Sequence, residues 1–300
     1  TLLKAVGQQM VYYENQDGRI CILFPYFGNV LVGSTDIRID DPTDVRCEEE
    51  ERDYILQSLA FVFPKIVIQP DEILYTFSGV RPLEYSDSSV TGGISRDHSC
   101  RTLPDSPQRT FPVLCMIGGK WTTFRAFGEQ VSDQILDILN SKRKTRTNNL
   151  SIGGGKDFPR DHGDFENWIS DLRDRSGMDE TRLRRLIDRY GSKAESLIGY
   201  MKQSTDKALI SDPSYSQREL LHIIEQENVT CLEDILLRRT SLAISGGLST
   251  ALIDEVLAIM ANARGWNQTR TTSARQEFLA RLSKQHAVTL EAAEPQPVNA

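Results

Sequence analysis

No apolar run in the 300-residue sequence approaches the roughly 18 residues a spanning helix needs, and the N-terminus has no basic-then-apolar signal layout. Membrane contact is therefore expected to be peripheral. Cysteine is scarce: Cys21, Cys47, Cys100, Cys115 and Cys231 are odd in number and widely spaced, unlike the paired spacings of a zinc site or a disulfide framework. A reducing compartment is expected. Basic charge is in deficit as well, and a net charge of −7 argues against a general attraction to nucleic acid or anionic lipid. An anionic substrate would then need a locally basic pocket. No internal repeat period occurs, and residues 240–300 hold no Asp-x-Asp-x-Asp-Gly run with a later Glu, the pattern of a calcium loop. No Gly-x-Gly-x-x-Gly turn occurs anywhere in the sequence.

With 39% hydrophobic and 26% charged residues, the chain can hold one large or two medium domains. Its first third is β-rich. Arg19–Tyr26 and Asn29–Asp36 read as strands joined in a hairpin at Phe27-Gly28. An acidic start at Glu48–Glu51 and a stripe of Tyr54, Ile55, Leu59, Val62 and Phe63 predict a helix that Pro64 ends. Asp71–Ser78, Thr91–His98 and Phe111–Ile117 read as three further strands, with a polar loop over Arg101–Arg109. Helical spacing from Phe124 to Leu139 predicts a helix to about Asn140.

The composition changes after that helix. Lys142–Asn149 is basic and polar, and Ile152-Gly153-Gly154-Gly155-Lys156 reads as a flexible joint, which places a domain boundary near 150. Beyond it, amphipathic helices are predicted over 165–176, 181–190, 193–203, 216–227, 232–239, 250–263 and 273–283. The expected domains are thus 1–145, 150–288 and a disordered tail over 289–300, with disorder argued from Glu291 onward.

The chemistry concentrates in two places. Ile117-Gly118-Gly119-Lys120-Trp121-Thr122-Thr123-Phe124-Arg125 breaks an apolar strand into a helix N-terminus, where unpartnered first-turn amides, two hydroxyls and the Lys120 ammonium would suit phosphate, pyrophosphate or a flavin carbonyl. Tyr75–Leu83 and Ile94–His98 each place an arginine, Arg81 and Arg96, at the end of a β-rich run, and Pro82 constrains the chain after Arg81. Two guanidinium forks and a lysine can clamp a phosphate ester. The plainer alternative is that the two arginines are surface salt-bridge partners.

Taken in order, Gly33-Ser34-Thr35-Asp36, Ser78-Gly79-Val80-Arg81-Pro82-Leu83, Ser95-Arg96-Asp97-His98, Gly118–Arg125 and Leu232-Glu233-Asp234-Ile235-Leu236-Leu237-Arg238-Arg239-Thr240 resemble the FAD-dependent glycerol-3-phosphate dehydrogenases over residues 10 to about 285. The resemblance implies an α+β fold: a β-sheet substrate domain with the partial edge of an FAD-binding domain, then an all-helical C-terminal domain. It implies oxidation of sn-glycerol 3-phosphate to dihydroxyacetone phosphate, with FAD as cofactor and electrons passed to quinone.

By likeness, Arg81 and Arg96 bind the substrate, and Gly118, Gly119, Lys120, Trp121 and Thr122 lie at the flavin, with Arg81 and Lys120 as the catalytic candidates. His98 receives no role, and no metal site is expected. The expected setting is cytoplasmic, peripheral on the inner face of a membrane, with a homodimer as the expected assembly and no nucleic acid. Where the family opens with a dinucleotide-binding turn, this sequence enters the pattern later, so it is expected to be a C-terminal portion that does not retain FAD alone. Two alternatives stand beside this reading: a non-catalytic remnant whose helical domain is an interaction module, and a flavin oxidoreductase of an amine or amino acid.

Overall fold

The computed structural model describes residues 1–87, 91–118 and 120–290. Two compact units compose it, one formed by residues 1–34, 46–78 and 152–300, the other by 35–45 and 79–151. Gly119 and the expected tail from Glu291 lie outside the described residues.

In the first unit, α1 (Leu2–Val6) precedes an antiparallel sheet of β1 (Val11–Glu14), β2 (Ile20–Tyr26) and β3 (Asn29–Gly33), in that order. The expected hairpin is present. Tyr26 pairs with Asn29, and the two loop residues Phe27 and Gly28 take φ of 46° and 78°, the left-handed pair that a two-residue turn between right-twisted strands requires. Helix α2 (Glu49–Val62) starts at a capping box, in which the Glu48 amide donates to the Glu51 carboxylate at 3.1 Å. Val6, Leu23 and Leu59 from α1, β2 and α2 form a small core, and the buried Ser58 hydroxyl bonds Tyr13 Oη at 2.8 Å.

The strand expected at 71–78 does not form. Pro70–Glu72 is a 3₁₀ turn, and the extended residues after it pair with no strand. Their backbone is satisfied instead by the end of a later helix: the Thr76 amide donates to the His286 carbonyl at 3.0 Å, and the Thr76 carbonyl lies 2.8 Å from His286 Nδ1. Tyr75 stacks on the same imidazole, with centroids 4.7 Å apart and planes 9° from parallel. Burial there pushes the Tyr75 hydroxyl up to about 12.

The second unit carries β4 (Ser99–Leu103) and β5 (Val113–Ile117), antiparallel, with Ser99 opposite Ile117 and Leu103 opposite Val113. The strand expected at 91–98 is displaced toward the C-terminus, into what reads as loop. Thr91–Gly93 is a 3₁₀ turn, and extended pairing begins only where β5 lies opposite, so the tertiary partner decides the strand's limits rather than local propensity. The strand expected at 111–117 is β5. It ends at Gly118, with φ of 68°, before a 3₁₀ turn over Trp121–Thr123 and α3 (Phe124–Ile138), which buries Phe127 and Val131.

The remaining helices belong to the first unit: α4 (His162–Ser176), α5 (Glu180–Tyr190), α6 (Ala194–Met201), α7 (Gln217–Gln226), α8 (Thr250–Arg264) and α9 (Gln268–His286). Asp161, Asp179, Ser216, Ser249 and Asn267 each accept a first-turn amide at the start of α4, α5, α7, α8 and α9, respectively. Leu183 and Leu197 centre one core among α4–α6; Ile253, Met260 and Phe278 centre another among α7–α9, on which Leu290 still packs. The expected helix at 232–239 is a widened π-helical turn over Asp234–Arg239. The triple glycine is no flexible joint: Gly153–Gly155 is a 3₁₀ turn, and a methyl group on Gly154 would lie 2.0 Å from the Tyr190 carbonyl oxygen, so two backbones meet where only glycine fits.

Two predictions follow from these local constraints. A methyl group on Gly118 would lie 3.0 Å from the Asp97 carbonyl oxygen, and the left-handed backbone alone costs an L-residue about 1–2 kcal/mol. Gly118→Ala should therefore lower stability by at least that much in urea denaturation, whereas Gly128→Ala, inside α3 with open space around it, should raise stability by about 0.5–1 kcal/mol. Equal effects would contradict the account of Gly118. The second concerns His286, whose pKa burial holds below its ordinary 6.5. The folded state favours the neutral ring, so the Thr76–His286 clamp is at full strength above that value and loses stability as pH falls through it. Corrected for the intrinsic rate, the protection of the Thr76 amide should fall between pH 7.5 and 5.5, and His286→Gln should remove that dependence.

Candidate functional site

The second unit brings two other stretches of backbone to Gly118. Its missing side chain faces the carbonyl oxygens of Asp97 and Pro82, which a methyl group would meet at 3.0 and 3.8 Å. Arg81 precedes Pro82, Arg96 precedes Asp97, and Lys120 follows Gly118 by two residues. Close backbone packing at one glycine thus gathers the regions that carry all three cations.

The two arginines meet at a carboxylate. Arg81 Nη1 lies 3.0 Å and Arg96 Nη2 3.8 Å from the same oxygen, Oδ2 of Asp36. Asp36 is the more enclosed partner, its side chain 20% exposed against 45% for each arginine side chain, and its carbonyl accepts a hydrogen bond from Thr91 Oγ1 at 3.0 Å. The salt-bridge reading of these arginines is therefore correct as geometry, and it is also what places them side by side. A guanidinium has five N–H donors, so one nitrogen shared with Asp36 leaves each fork able to take a further acceptor.

Lys120 is paired differently. Its ammonium lies 3.7 Å from Asp97 Oδ1, with both side chains largely exposed, a contact of small energetic weight that a stronger anion would displace. The turn around it is well made: the Lys120 amide lies 3.3 Å from Thr123 Oγ1, and the Lys120 carbonyl accepts from the Thr123 amide at 2.9 Å. Trp121 and Thr122 open this turn, where amides have no intrahelical acceptor. Trp121 is 90% exposed, its ring 6.1 Å from that of the half-exposed Phe124. A lysine ammonium, first-turn amides and an uncovered indole form a donor set that suits an electron-rich ring carbonyl, so these residues fit the ring end of the expected flavin.

Other residues were less visible in the sequence. Asp36 and Asp97 lie within quoted motifs, yet only the structure shows that they are the carboxylates holding the three cations. Arg125 ties the start of α3 to the following chain, with Nη1 on the Thr147 carbonyl and Nη2 donating to the Leu150 carbonyl at 3.0 Å. His98 stacks on Phe127 at 4.5 Å, with Nε2 3.1 Å from Gln130 Oε1. Among the described residues, no cluster of three or more His, Cys, Asp or Glu is placed to hold a metal ion, and no helix is long and apolar enough to cross a membrane.

Comparison with known proteins bears on the whole chain. A family model described as FAD dependent oxidoreductase matches residues 2–134, and one described as the C-terminal domain of alpha-glycerophosphate oxidase matches residues 145–271. Among curated proteins, the glycerol-3-phosphate dehydrogenase of Pseudomonas tolaasii is 29% identical over 77% of this chain and 44% of its own length. The aerobic glycerol-3-phosphate dehydrogenase of Escherichia coli is 28% identical over 78% of this chain and 46% of its own length. The chain thus spans less than half the length of either relative. The solved glycerol-3-phosphate dehydrogenase of Bacillus halodurans, in complex with FAD, shares the fold with a TM-score of 0.76 at 24% identity, covering 96% of this chain and 55% of the other. Two successive family matches that together span most of the chain agree with the named relatives: the chain is similar to the FAD-dependent glycerol-3-phosphate dehydrogenases, and it shares the fold of the solved one.

Proposed function

We propose that this chain supplies the substrate-phosphate and flavin-ring half of an FAD-dependent sn-glycerol 3-phosphate dehydrogenase. The observation that carries the reading is the gathering of Arg81, Arg96 and Lys120 around the Gly118 contact in a protein whose net charge is −7. A phosphate ester needs local positive charge, and this cluster provides it. Arg81 and Arg96 present guanidinium forks to the phosphoryl oxygens and fix the glycerol carbons relative to the ring. Lys120 and the amides of Trp121 and Thr122 place positive charge at the ring carbonyl, where electron density rises as the substrate is oxidised. When bound, FAD would supply the acceptor for the hydride that leaves C2 as its alcohol becomes the ketone of dihydroxyacetone phosphate, the hydroxyl proton passing to water. The electrons then pass to a quinone.

Substrate selectivity tests this assignment. In the full-length, FAD-loaded enzyme, Arg96→Ala should weaken glycerol 3-phosphate roughly tenfold to a hundredfold, the worth of a charge-assisted pair, and far more than it weakens a neutral polyol. Steady-state kinetics on both substrates decide it. Equal losses on both would remove Arg96 from the phosphate site.

A further inference from the structure

We infer that Asp36 is a positioning residue for the anion site: it holds Arg81 and Arg96 as a preformed pair, and phosphate binds through the arginines that Asp36 has ordered. The inference rests on the function proposed above and assigns a role to a carboxylate that, by sign alone, opposes an anionic substrate.

Three features carry it. Both guanidinium groups address one oxygen of Asp36, Arg81 at hydrogen-bond distance and Arg96 at ion-pair distance, so a single carboxylate holds Arg81 directly and draws Arg96 alongside it. Asp36 is the least exposed of the three, so it lies on the inner side of the pair and leaves the outer donors to solvent. Its backbone is itself held, through the Thr91 hydroxyl bonded to its carbonyl. Without that carboxylate, two like-charged groups on long, half-exposed side chains would splay apart, and an incoming phosphate would have to order both.

Two effects of opposite sign compete at Asp36. Its negative charge repels an anion, which predicts that neutralising it tightens phosphate binding. Its ordering of the forks predicts the reverse. At a half-exposed site the repulsion is screened by water and salt, whereas bidentate bonding depends steeply on how the forks are set. Ordering therefore dominates, and loss of the carboxylate weakens the site.

The test is a titration of the protein with inorganic phosphate and, separately, with sn-glycerol 3-phosphate, followed by calorimetry. Wild type, Asp36→Asn, Arg81→Ala and the double variant are compared, with circular dichroism confirming that each is folded. Asp36→Asn should weaken phosphate about tenfold, the scale of one lost charge-assisted contact, and its effect should shrink without vanishing once Arg81 is removed, since Arg96 remains its second partner. Asp36→Glu, which keeps the charge, should recover part of the loss and guards against a misfolded Asn variant. Unchanged or tighter phosphate binding by Asp36→Asn overturns the inference while the wild-type affinity upholds the site. A wild type that binds no phosphate overturns both. Phosphate binding that responds as expected, with glycerol 3-phosphate bound no better than phosphate and not oxidised by the holoenzyme, overturns the proposed function and leaves the role of Asp36 standing.

Discussion

The contact on which the candidate site depends is the approach of Gly118 to the Asp97 carbonyl oxygen, which a methyl group would crowd at 3.0 Å, with the Pro82 carbonyl oxygen in ordinary contact at 3.8 Å. Any other residue there would press on the Asp97 carbonyl, and its left-handed φ of 68° would be strained as well. Because β5 stops there, the chain is free to turn into the 3₁₀ segment at Trp121 and on into α3. Lys120 is carried along with that turn. Arg81 and Arg96 are each one residue from the two carbonyls that Gly118 meets, so one steric requirement brings near one another residues spread over about forty positions.

Charge is then arranged on that frame. Asp36 takes both arginines and Asp97 takes the lysine, so three cations are balanced by two carboxylates within an acidic protein. None of these pairs is deeply buried. Lys120 can leave Asp97 for a stronger partner, and the arginines can take an anion on their remaining donors, without leaving an uncompensated charge in an apolar interior, which distinguishes these pairs from the Arg189–Glu219 pair in the helical part of the first unit. There Glu219 is 2% exposed, and burial pushes its carboxyl up against the opposing pull of Arg189. The first kind of pairing suits a site that accepts an anion; the second suits a core that must hold one arrangement.

Long periodic elements were legible in the sequence, because their limits are set by residues within them. The hairpin at Phe27-Gly28, α2 with its acidic start, α3, and α4–α9 all declare themselves by spacing and capping. What escaped was decided elsewhere in the chain. Residues 73–78 are rich in strand formers but find a histidine at a helix end rather than a partner strand, and β4 begins where β5 lies opposite rather than where propensity rises. The triple glycine reads equally as linker or close contact until Tyr190 is placed against it. At the site, the cations were visible because arginines, lysine and glycine carry recognisable chemistry. Asp36 and Asp97 were not, since a carboxylate in a motif does not announce which guanidinium or ammonium it will meet.

The central claim is that Arg81, Arg96 and Lys120 serve one bound substrate and cofactor, and a crystal structure of the holoenzyme with sn-glycerol 3-phosphate tests it most directly. The account predicts phosphoryl oxygens about 3 Å from guanidinium nitrogens of both Arg81 and Arg96, and the flavin ring carbonyl within reach of Lys120 and the Trp121 amide. A substrate phosphate bound away from both arginines would contradict it.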